Sequence, residues 1–365
     1  MYRGASVAVV LPAYNEVGFV GDVIREVPDY VDRVYAIDDC STDGTWDEIL
    51  AAAREDAGRT SSGEEGRSYD SDSDHGPSRE GAGPLVADGG ASVLAGRAAV
   101  HDPVGRVVPI RHRENRGAGG AIKTGYLAAL EEGVDATVTV DADGQMDCSQ
   151  MPRLLDPIAA GEADYAKGNR LLSAEYRAAM PRFRFVGNAI LTFLTKIASG
   201  YWKTMDPQNG YTAISNDALE AIDVEGLYEY YGYCNDLLVK LNVEEMTVAD
   251  VAMPAVYGEE ESSIRYTEYV PKVSTMLLGN FLWRLKTKYL VLDFHPLALF
   301  YVVGAGLATA GVVAAGLTLL AGLAAIGAGV SNSSILLSVV AGVAFLLFAM
   351  VFDMGQSEHL ERQVR

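Results

Sequence analysis

Cysteine is scarce in this chain and poorly placed for pairing. Cys40, Cys148 and Cys234 are odd in number and widely spaced, which argues against a disulfide framework, shows no zinc-site spacing and implies a reducing compartment. Positive charge is also in short supply. The 29 Lys and Arg residues face 49 Asp and Glu, for a net charge of -20, and the absence of a basic patch argues against nucleic acid as a partner. Acidity on this scale would repel an anionic membrane in dilute buffer. At molar salt the Debye length falls to about 3 Å and an acidic surface serves to hold water instead, so the composition points to a halophile, a haloarchaeon. No cleavable leader is expected either, because Met1 to Ser6 is too short for an apolar core ahead of the first strand pattern.

The most pronounced absence lies near the C-terminus, where no Asp, Glu, Lys or Arg occurs from Pro296 through Phe352. The uncharged break at Gly327–Ser334 divides this region, residues 295–353, into spans of about 297–326 and 335–352. Each reaches the roughly 18–20 apolar residues that a bilayer crossing requires. Arg284, Lys286 and Lys288 precede the first span and Arg362 and Arg365 follow the second. The positive-inside bias then places both ends, including a tail at 354–365, in the cytoplasm of a two-span cell-membrane protein. Residues 266–294 mix aliphatic and aromatic side chains with these cations and read as amphipathic helices lying on the headgroup layer.

The preceding 265 residues carry an α/β pattern. Val7–Leu11 reads as a buried strand running into Pro12-Ala13-Tyr14-Asn15-Glu16 and an amphipathic stretch to Val27; Val34–Ile37 ends in Asp38-Asp39-Cys40-Ser41-Thr42-Asp43-Gly44; and Ala136–Val140 ends in Asp141-Ala142-Asp143-Gly144-Gln145. The carboxyl ends of parallel strands form the ligand crevice of an open α/β sheet, so Asn15, Glu16, Asp38, Asp39 and Asp143 are expected around one small molecule. Alternate residues of an extended segment point the same way. Asp141 and Asp143 can therefore converge on a hard divalent cation, with Gln145 adding a neutral oxygen. Residues at about 57–102 interrupt the pattern with a polar, acidic, Gly- and Ser-rich stretch expected to be a disordered surface insertion, peripheral to the chemistry.

These motifs, with Asn115-Arg116-Gly117-Ala118-Gly119-Gly120-Ala121-Ile122-Lys123-Thr124-Gly125 between the second and the last, resemble in content and order the family 2 glycosyltransferases of the GT-A fold. The resemblance is to dolichyl-phosphate mannose synthases and related polyprenyl-phosphate hexosyltransferases, and it covers residues 6 to about 265 apart from the insertion. It implies a Rossmann-like, mostly parallel sheet. It also implies Mg²⁺ or Mn²⁺, a UDP- or GDP-linked sugar donor and a dolichyl or polyprenyl phosphate acceptor. On that reading Pro12, Tyr14, Asn15, Glu16 and Asp39 hold the nucleoside, Asp141 contacts its ribose or phosphate side, and Asp143 with Gln145 meets the metal. Arg116 and Lys123 border the pocket without an assigned phosphate contact.

Breaking a bond to a nucleoside diphosphate builds negative charge on the leaving group, which a divalent ion neutralises as a Lewis acid. A lipid monophosphate, already largely dianionic at neutral pH, needs positive charge to align it more than it needs a base. Arg170, Arg182 and Arg184 are the acceptor-phosphate candidates, and the reading as catalytic residues extends to Asp141, Asp143, Asp236 and Arg170. Asp236 stands where the family often places an acidic residue facing the donor sugar; the alternative is a helix cap. The segment Tyr257–Arg265 stands where relatives carry Gly-X-Ser-Lys and keeps only the serine and a displaced arginine. The expected activity is an inverting, metal-dependent hexose transfer to the lipid phosphate at the cytoplasmic face, supplying lipid-linked sugar for glycosylation. Other readings are another lipid or polysaccharide acceptor, against which stands the lack of a Gln-X-X-Arg-Trp motif, or a membrane-tethered nucleotide-sugar binding protein without turnover.

Overall fold

The computed structural model describes residues 1–64, 93–172, 182–253, 266–323 and 331–364. In chain order the elements are β1 (Val7–Ala13), α1 (Val20–Glu26), β2 (Arg33–Asp38), α2 (Thr45–Glu64), α3 (Val93–Arg97), β3 (Ala98–Val100), β4 (Val107–His112), α4 (Gly117–Glu132), β5 (Ala136–Thr139), α5 (Met151–Ala159), β6 (Tyr165–Asn169), α6 (Arg182–Ser199), β7 (Thr212–Ser215), α7 (Asn216–Ala221), α8 (Tyr233–Val243), β8 (Val248–Ala252), α9 (Tyr266–Lys286), α10 (Leu297–Leu323), α11 (Asn332–Ser357) and β9 (Glu361–Val364). The strands form one sheet in the order β3-β4-β2-β1-β5-β7-β6-β8-β9. Parallel pairing joins β4, β2, β1 and β5, and again β6, β8 and β9, while β3 and β7 run antiparallel to their neighbours. This is the mostly parallel α/β arrangement expected from the strand-to-helix pattern.

β1 shows why its sequence is a continuous apolar run. It is covered on both faces, as central parallel strands are. Val7, Val9 and Leu11 join the core layer that contains Ile24, Ile49 and Leu154, whereas Ala8 and Val10 face the layer built by Tyr126, Ala129 and Leu237. The parallel register brings the ends of β1 and β2 level, with Ala13 opposite Asp38, while β5 ends opposite Val10 and leaves the residues after Thr139 beside the last residues of β1.

Several expected boundaries shift. The margins of the supposed insertion are regular: α2 continues to Glu64, and α3 leads into β3, which pairs with β4 from Ala98↔His112 to Val100↔Ile110. Arg106 explains one margin, since it binds both oxygens of Asp56 on α2 and three carbonyls at Val27, Pro28 and Val31. Residues 65–92 lie outside the described residues, as does 257–265. The expected C-terminal tail is no tail either. Its residues 361–364 pair in parallel with β8, from Val248↔Glu361 to Val251↔Val364.

Residues 266–294 are one long helix, α9, followed by a π-helical turn at Thr287–Leu292. One face packs on the sheet domain, burying Val273 and Leu277 against Ala198 and Val239. The other leaves Val270, Leu278, Leu282, Trp283, Leu290, Val291 and Leu292 exposed. Helices α10 and α11 are each long and apolar enough to cross a membrane, and only 28% and 11% of their most apolar windows are buried. They pack on each other through small residues, which let the two backbones approach closely. A Cβ on Gly304 would fall 2.9 Å from the Leu346 nitrogen, and Ser338 donates to the Leu307 carbonyl at 2.9 Å.

The hairpin meets the sheet domain at a buried ion pair. Arg284 and Asp353 have fully buried side chains, with Nη1 and Nη2 donating to the two carboxylate oxygens at 2.9 and 2.7 Å. The Tyr289 hydroxyl adds a third bond at 2.7 Å. Arg284 also donates to the carbonyls of Ile197 and Ala198, and Lys288 to that of Asn242. Two of the three cations ahead of the first apolar helix, Arg284 and Lys288, are therefore engaged inside the protein, while Lys286, and Arg362 after the second, remain exposed. Both ends of the hairpin lie on the side of the sheet domain.

Candidate active site

A cleft of about 430 Å³ opens at the carboxyl ends of the parallel strands. Pro12, Tyr14 and Glu16 line it from the end of β1, Asp39 from β2, Asp141 and Asp143 from beyond β5, Asn115, Gly117, Ala118 and Ala121 from the start of α4, and Tyr230 and Tyr231 from the segment before α8. Six of the residues proposed from sequence thus meet in one place. Asn15 and Gln145 are not among the lining residues. Asn15, at φ +57°, accepts from the Thr42 N–H at 2.9 Å and so braces the turn after β2. The Gln145 N–H donates to Asp143 Oδ1 at 2.9 Å, closing a turn that holds the Asp143 carboxylate in place.

Asp39 is buried and bonded through both oxygens. Its Oδ1 accepts from the Arg116 N–H and meets His112 Nδ1, at 2.8 and 2.6 Å, and its Oδ2 accepts from the Gly117 N–H at 2.8 Å. A carboxylate receiving the first N–H groups of a helix satisfies donors that have no partner within it. Asp39 therefore fixes the start of α4 at the rim of the cleft. His112 passes on to Thr124 Oγ1 at 2.8 Å, and Arg97 Nε donates to the same hydroxyl at 2.9 Å. Beyond them Glu229 gathers three cations, Arg97, Lys123 and Arg116, at 3.0, 3.0 and 3.3 Å. Burial would raise its carboxyl, but Lys123 and Arg97 outweigh it and hold the group below the ordinary range. Arg116 also pairs with Glu114 at 2.7 Å, so the cations of this cluster are shared between two carboxylates at the rim of the cleft. The glycines of 115–125 serve close packing: a Cβ on Gly119 would fall 2.6 Å from the Tyr228 carbonyl, and the Gly120 N–H donates to the Glu229 carbonyl at 2.8 Å.

Negative charge collects on the cleft floor. Burial, reinforced by Asp143 and opposed by Arg170, pushes the Asp141 carboxyl up to about 7. Such a pair favours a cation. Among the described residues, no three His, Cys, Asp or Glu side chains converge as a complete metal shell; an ion at Asp143 and Asp141 would complete its coordination from a ligand's oxygens and water, as Mg²⁺ commonly does.

Arg170 follows β6 and stands close enough to influence Asp141, but it is clamped. Its Nε and Nη2 donate to the two oxygens of Asp206 at 2.7 and 2.8 Å, and its backbone N–H donates at 3.2 Å. Despite burial, Asp206 stays below the ordinary carboxylate range because of Arg170 and Lys167. Arg182 and Arg184 occupy the first turn of α6; their side chains are outside the described residues. Asp236 does not face the cleft. It lies within the first turn of α8, where Gly232 is the N-cap, and its two oxygens accept from the Tyr228 N–H at 2.9 Å and Asn280 Nδ2 at 2.8 Å. Its carboxylate ties the segment bearing Tyr230 and Tyr231 to α9, which replaces the expected sugar-orienting or capping role. Asp38 is likewise turned to structure, pairing with Arg111 and accepting from the Ser41 N–H. His112, Arg97 and Glu229 went unmarked in the sequence because each acts through partners far along the chain; only the Thr124 spacing from His112 is local.

Residues 92–223 match the sequence profile described as Glycosyl transferase family 2. The polyprenol monophosphomannose synthase of Mycolicibacterium smegmatis is 30% identical over 190 residues, which cover 49% of this chain and 68% of that protein. The chain belongs to glycosyl transferase family 2. A second relative, the UDP-N-acetylglucosamine–dolichyl-phosphate N-acetylglucosaminyltransferase of Methanococcus voltae, is 32% identical over 154 residues, 42% of this chain. The match spans 61% of that relative's length. Among solved structures, glucosyl-3-phosphoglycerate synthase of Mycobacterium tuberculosis, in complex with Mn²⁺, UDP and glucosyl-3-phosphoglycerate, aligns with a TM-score of 0.48 at 18% identity over 77% of this chain and 80% of that one.

Proposed function

We propose that this family 2 glycosyltransferase moves a hexose from a UDP- or GDP-linked sugar to dolichyl or polyprenyl phosphate at the cytoplasmic face of a membrane, with inversion at the anomeric carbon. One combination carries the reading. A cleft with a paired-carboxylate floor and a neighbouring clamped arginine occurs in the same chain as two long helices whose apolar side chains, among them Val302, Leu317, Leu337 and Phe348, stay exposed. Exposed apolar surface costs about 25 cal/mol per Å² in water, so a lipid environment is the natural surrounding for α10 and α11. The named relatives that act on polyprenyl and dolichyl phosphates point to the same acceptor class.

In this reading the nucleoside lies between the Pro12–Glu16 turn and the Asp39-anchored start of α4. Asp141 and Asp143 would hold Mg²⁺ or Mn²⁺, which when bound supplies positive charge to the departing diphosphate. A lipid-phosphate oxygen attacks the anomeric carbon as the carbon–oxygen bond to the nucleoside diphosphate breaks, and the nucleotide leaves with that electron pair. No general base is needed, because the attacking oxygen carries charge already. Arg170, oriented by Asp206, and the arginines at the start of α6 align the acceptor phosphate.

The test is kinetic. Arg170→Ala, and separately an Arg182→Ala, Arg184→Ala double variant, should raise the acceptor KM or lower kcat/KM by about ten- to a hundredfold, the worth of a charge-assisted contact. Calorimetric nucleotide affinity should stay near wild type. Variants that lose nucleotide binding yet use the lipid normally would move these arginines to the donor site and remove the main support for a phosphate acceptor.

A further inference from the structure

The residues that follow the apolar hairpin reach back into the sheet domain and end as its edge strand beside β8. Glu361, the first residue of β9, is buried. Its Oε1 accepts from the Trp202 N–H at 3.0 Å, and its Oε2 from the Lys203 and Thr204 N–H groups at 2.6 and 2.9 Å. Three consecutive backbone donors on one carboxylate form a charge-assisted cradle that fixes the path of the chain rather than one contact. Two further bonds from the hairpin end reach the same segment. Trp202 Nε1 donates to Asp353 Oδ2 at 3.4 Å and Lys203 Nζ to Glu358 at 2.9 Å.

The segment continues directly into the turn that controls Arg170. The Met205 N–H donates to Asp250 Oδ2 on β8 at 2.7 Å, Lys167 spans Asp250 and the carbonyls of Met205 and Asp206, and Asp206, at φ +50°, clamps Arg170. A non-glycine residue held in the left-handed region persists only where its surroundings over-determine it. Asp250 and Glu361 supply that constraint from neighbouring strands.

We infer that Glu361 is a positioning residue for Arg170: by fixing Trp202–Thr204 it holds the Asp206 turn, and through Asp206 the guanidinium beside the Asp141 floor. The membrane hairpin and the cleft are thereby mechanically linked through β9. The kinetic part of this inference rests on the acceptor-side reading of Arg170; the mechanical part does not.

The experiment uses the full chain, detergent-solubilised in high salt, with Glu361→Gln as the principal variant because it keeps the shape and loses the charge, and Glu361→Ala as the second. Hydrogen exchange is followed in peptides covering 168–171, 202–206 and 7–13. Initial rates are measured with nucleotide sugar and polyprenyl phosphate. Exchange at 168–171 and 202–206 should quicken while 7–13 is unchanged, and the acceptor KM should rise by roughly tenfold, with nucleotide affinity constant. In an Arg170→Ala background the Glu361→Gln change should add less than about twofold, as expected for two residues acting through one contact. Unchanged exchange at 168–171 in both Glu361 variants overturns the inference, and so do losses that multiply in the double variant. Should Arg170→Ala alone leave lipid kinetics untouched, the phosphate-acceptor reading falls. The exchange at 168–171 then still decides whether Glu361 positions Arg170.

Discussion

Asp353 at the hairpin junction and Asp141 on the cleft floor are both carboxylates drawn out of bulk water, and their surroundings treat them in opposite ways. Asp353 receives two guanidinium nitrogens and a tyrosine hydroxyl from within the chain. Asp141 is pushed up to about 7 first by burial and then by its Asp143 neighbour, and Arg170, already bound to Asp206, only partly opposes the rise. A fold that completes one acid so fully and leaves the other facing repulsion has separated anchoring from chemistry. The junction is satisfied internally, whereas the cleft is arranged for charge that arrives with a ligand.

The comparison breaks first at the junction. Asp353→Ala strands the Arg284 guanidinium in a buried site and should destabilise the chain by about 3–5 kcal/mol, the usual cost of removing one partner of a buried pair. Denaturant unfolding of the full chain checks this, and because the pair is buried the loss should persist in molar salt. A variant as stable as wild type would show that the ion pair is not what holds the hairpin. At the cleft the opposite pattern is expected. Asp143→Asn should lower transfer by about a hundredfold or more, one charged oxygen being lost from the metal shell, with little change in unfolding midpoint. Full activity in that variant, or in excess chelator, sinks the metal role.

A third site, far from both, calibrates the pair. Asp56, bound by Arg106 and Arg59, is held below the ordinary carboxylate range despite its burial. A depressed folded value means that its contribution is complete above the unfolded value near 3.9 and disappears as pH falls through the folded one. Asp56→Asn should cost about 1.5–3 kcal/mol at pH 7, and the gap to wild type should shrink on acidification below pH 4. A gap independent of pH would mean that packing, not charge, carries the effect. The smallest change is expected from replacing 66–90 with a short Gly/Ser linker, since loop length alters closure entropy by only about 0.6 kcal/mol per doubling. Transfer should be nearly unchanged. A larger excision from Ser61 to Ala99 would also remove Arg97 and β3, and should damage the Glu229 cluster.

What could be read beforehand was what local pattern encodes. The strand ends of β1, β2 and β5 follow from apolar runs closed by polar turns, which pointed to Glu16, Asp39 and Asp143, and the family resemblance added Pro12, Tyr14 and Asp141 to the same cleft. The apolar helices were equally plain from the absence of charge. Pairings between distant residues were not legible. Arg284 looked like a flanking cation and Asp353 like the first charge after a span, because no periodicity connects positions so far apart. Glu361 lay in a segment too short to announce a strand. Asp236 carried an acidic residue in the expected place, yet the Tyr228 N–H and Asn280 claim both of its oxygens, a matter of tertiary packing that no motif records.

The ninth strand also sets an order of events in assembly. β8 has its outer partner only when residues beyond the second apolar helix have returned to it. Until both helices are placed, β8 presents a bare row of amide and carbonyl groups, the kind of edge that recruits other chains. The sheet can thus be finished only after both apolar helices have been made and folded back on the sheet domain. A catalytic domain released without its apolar helices would carry this open edge into solution and should aggregate rather than act as a stray soluble enzyme.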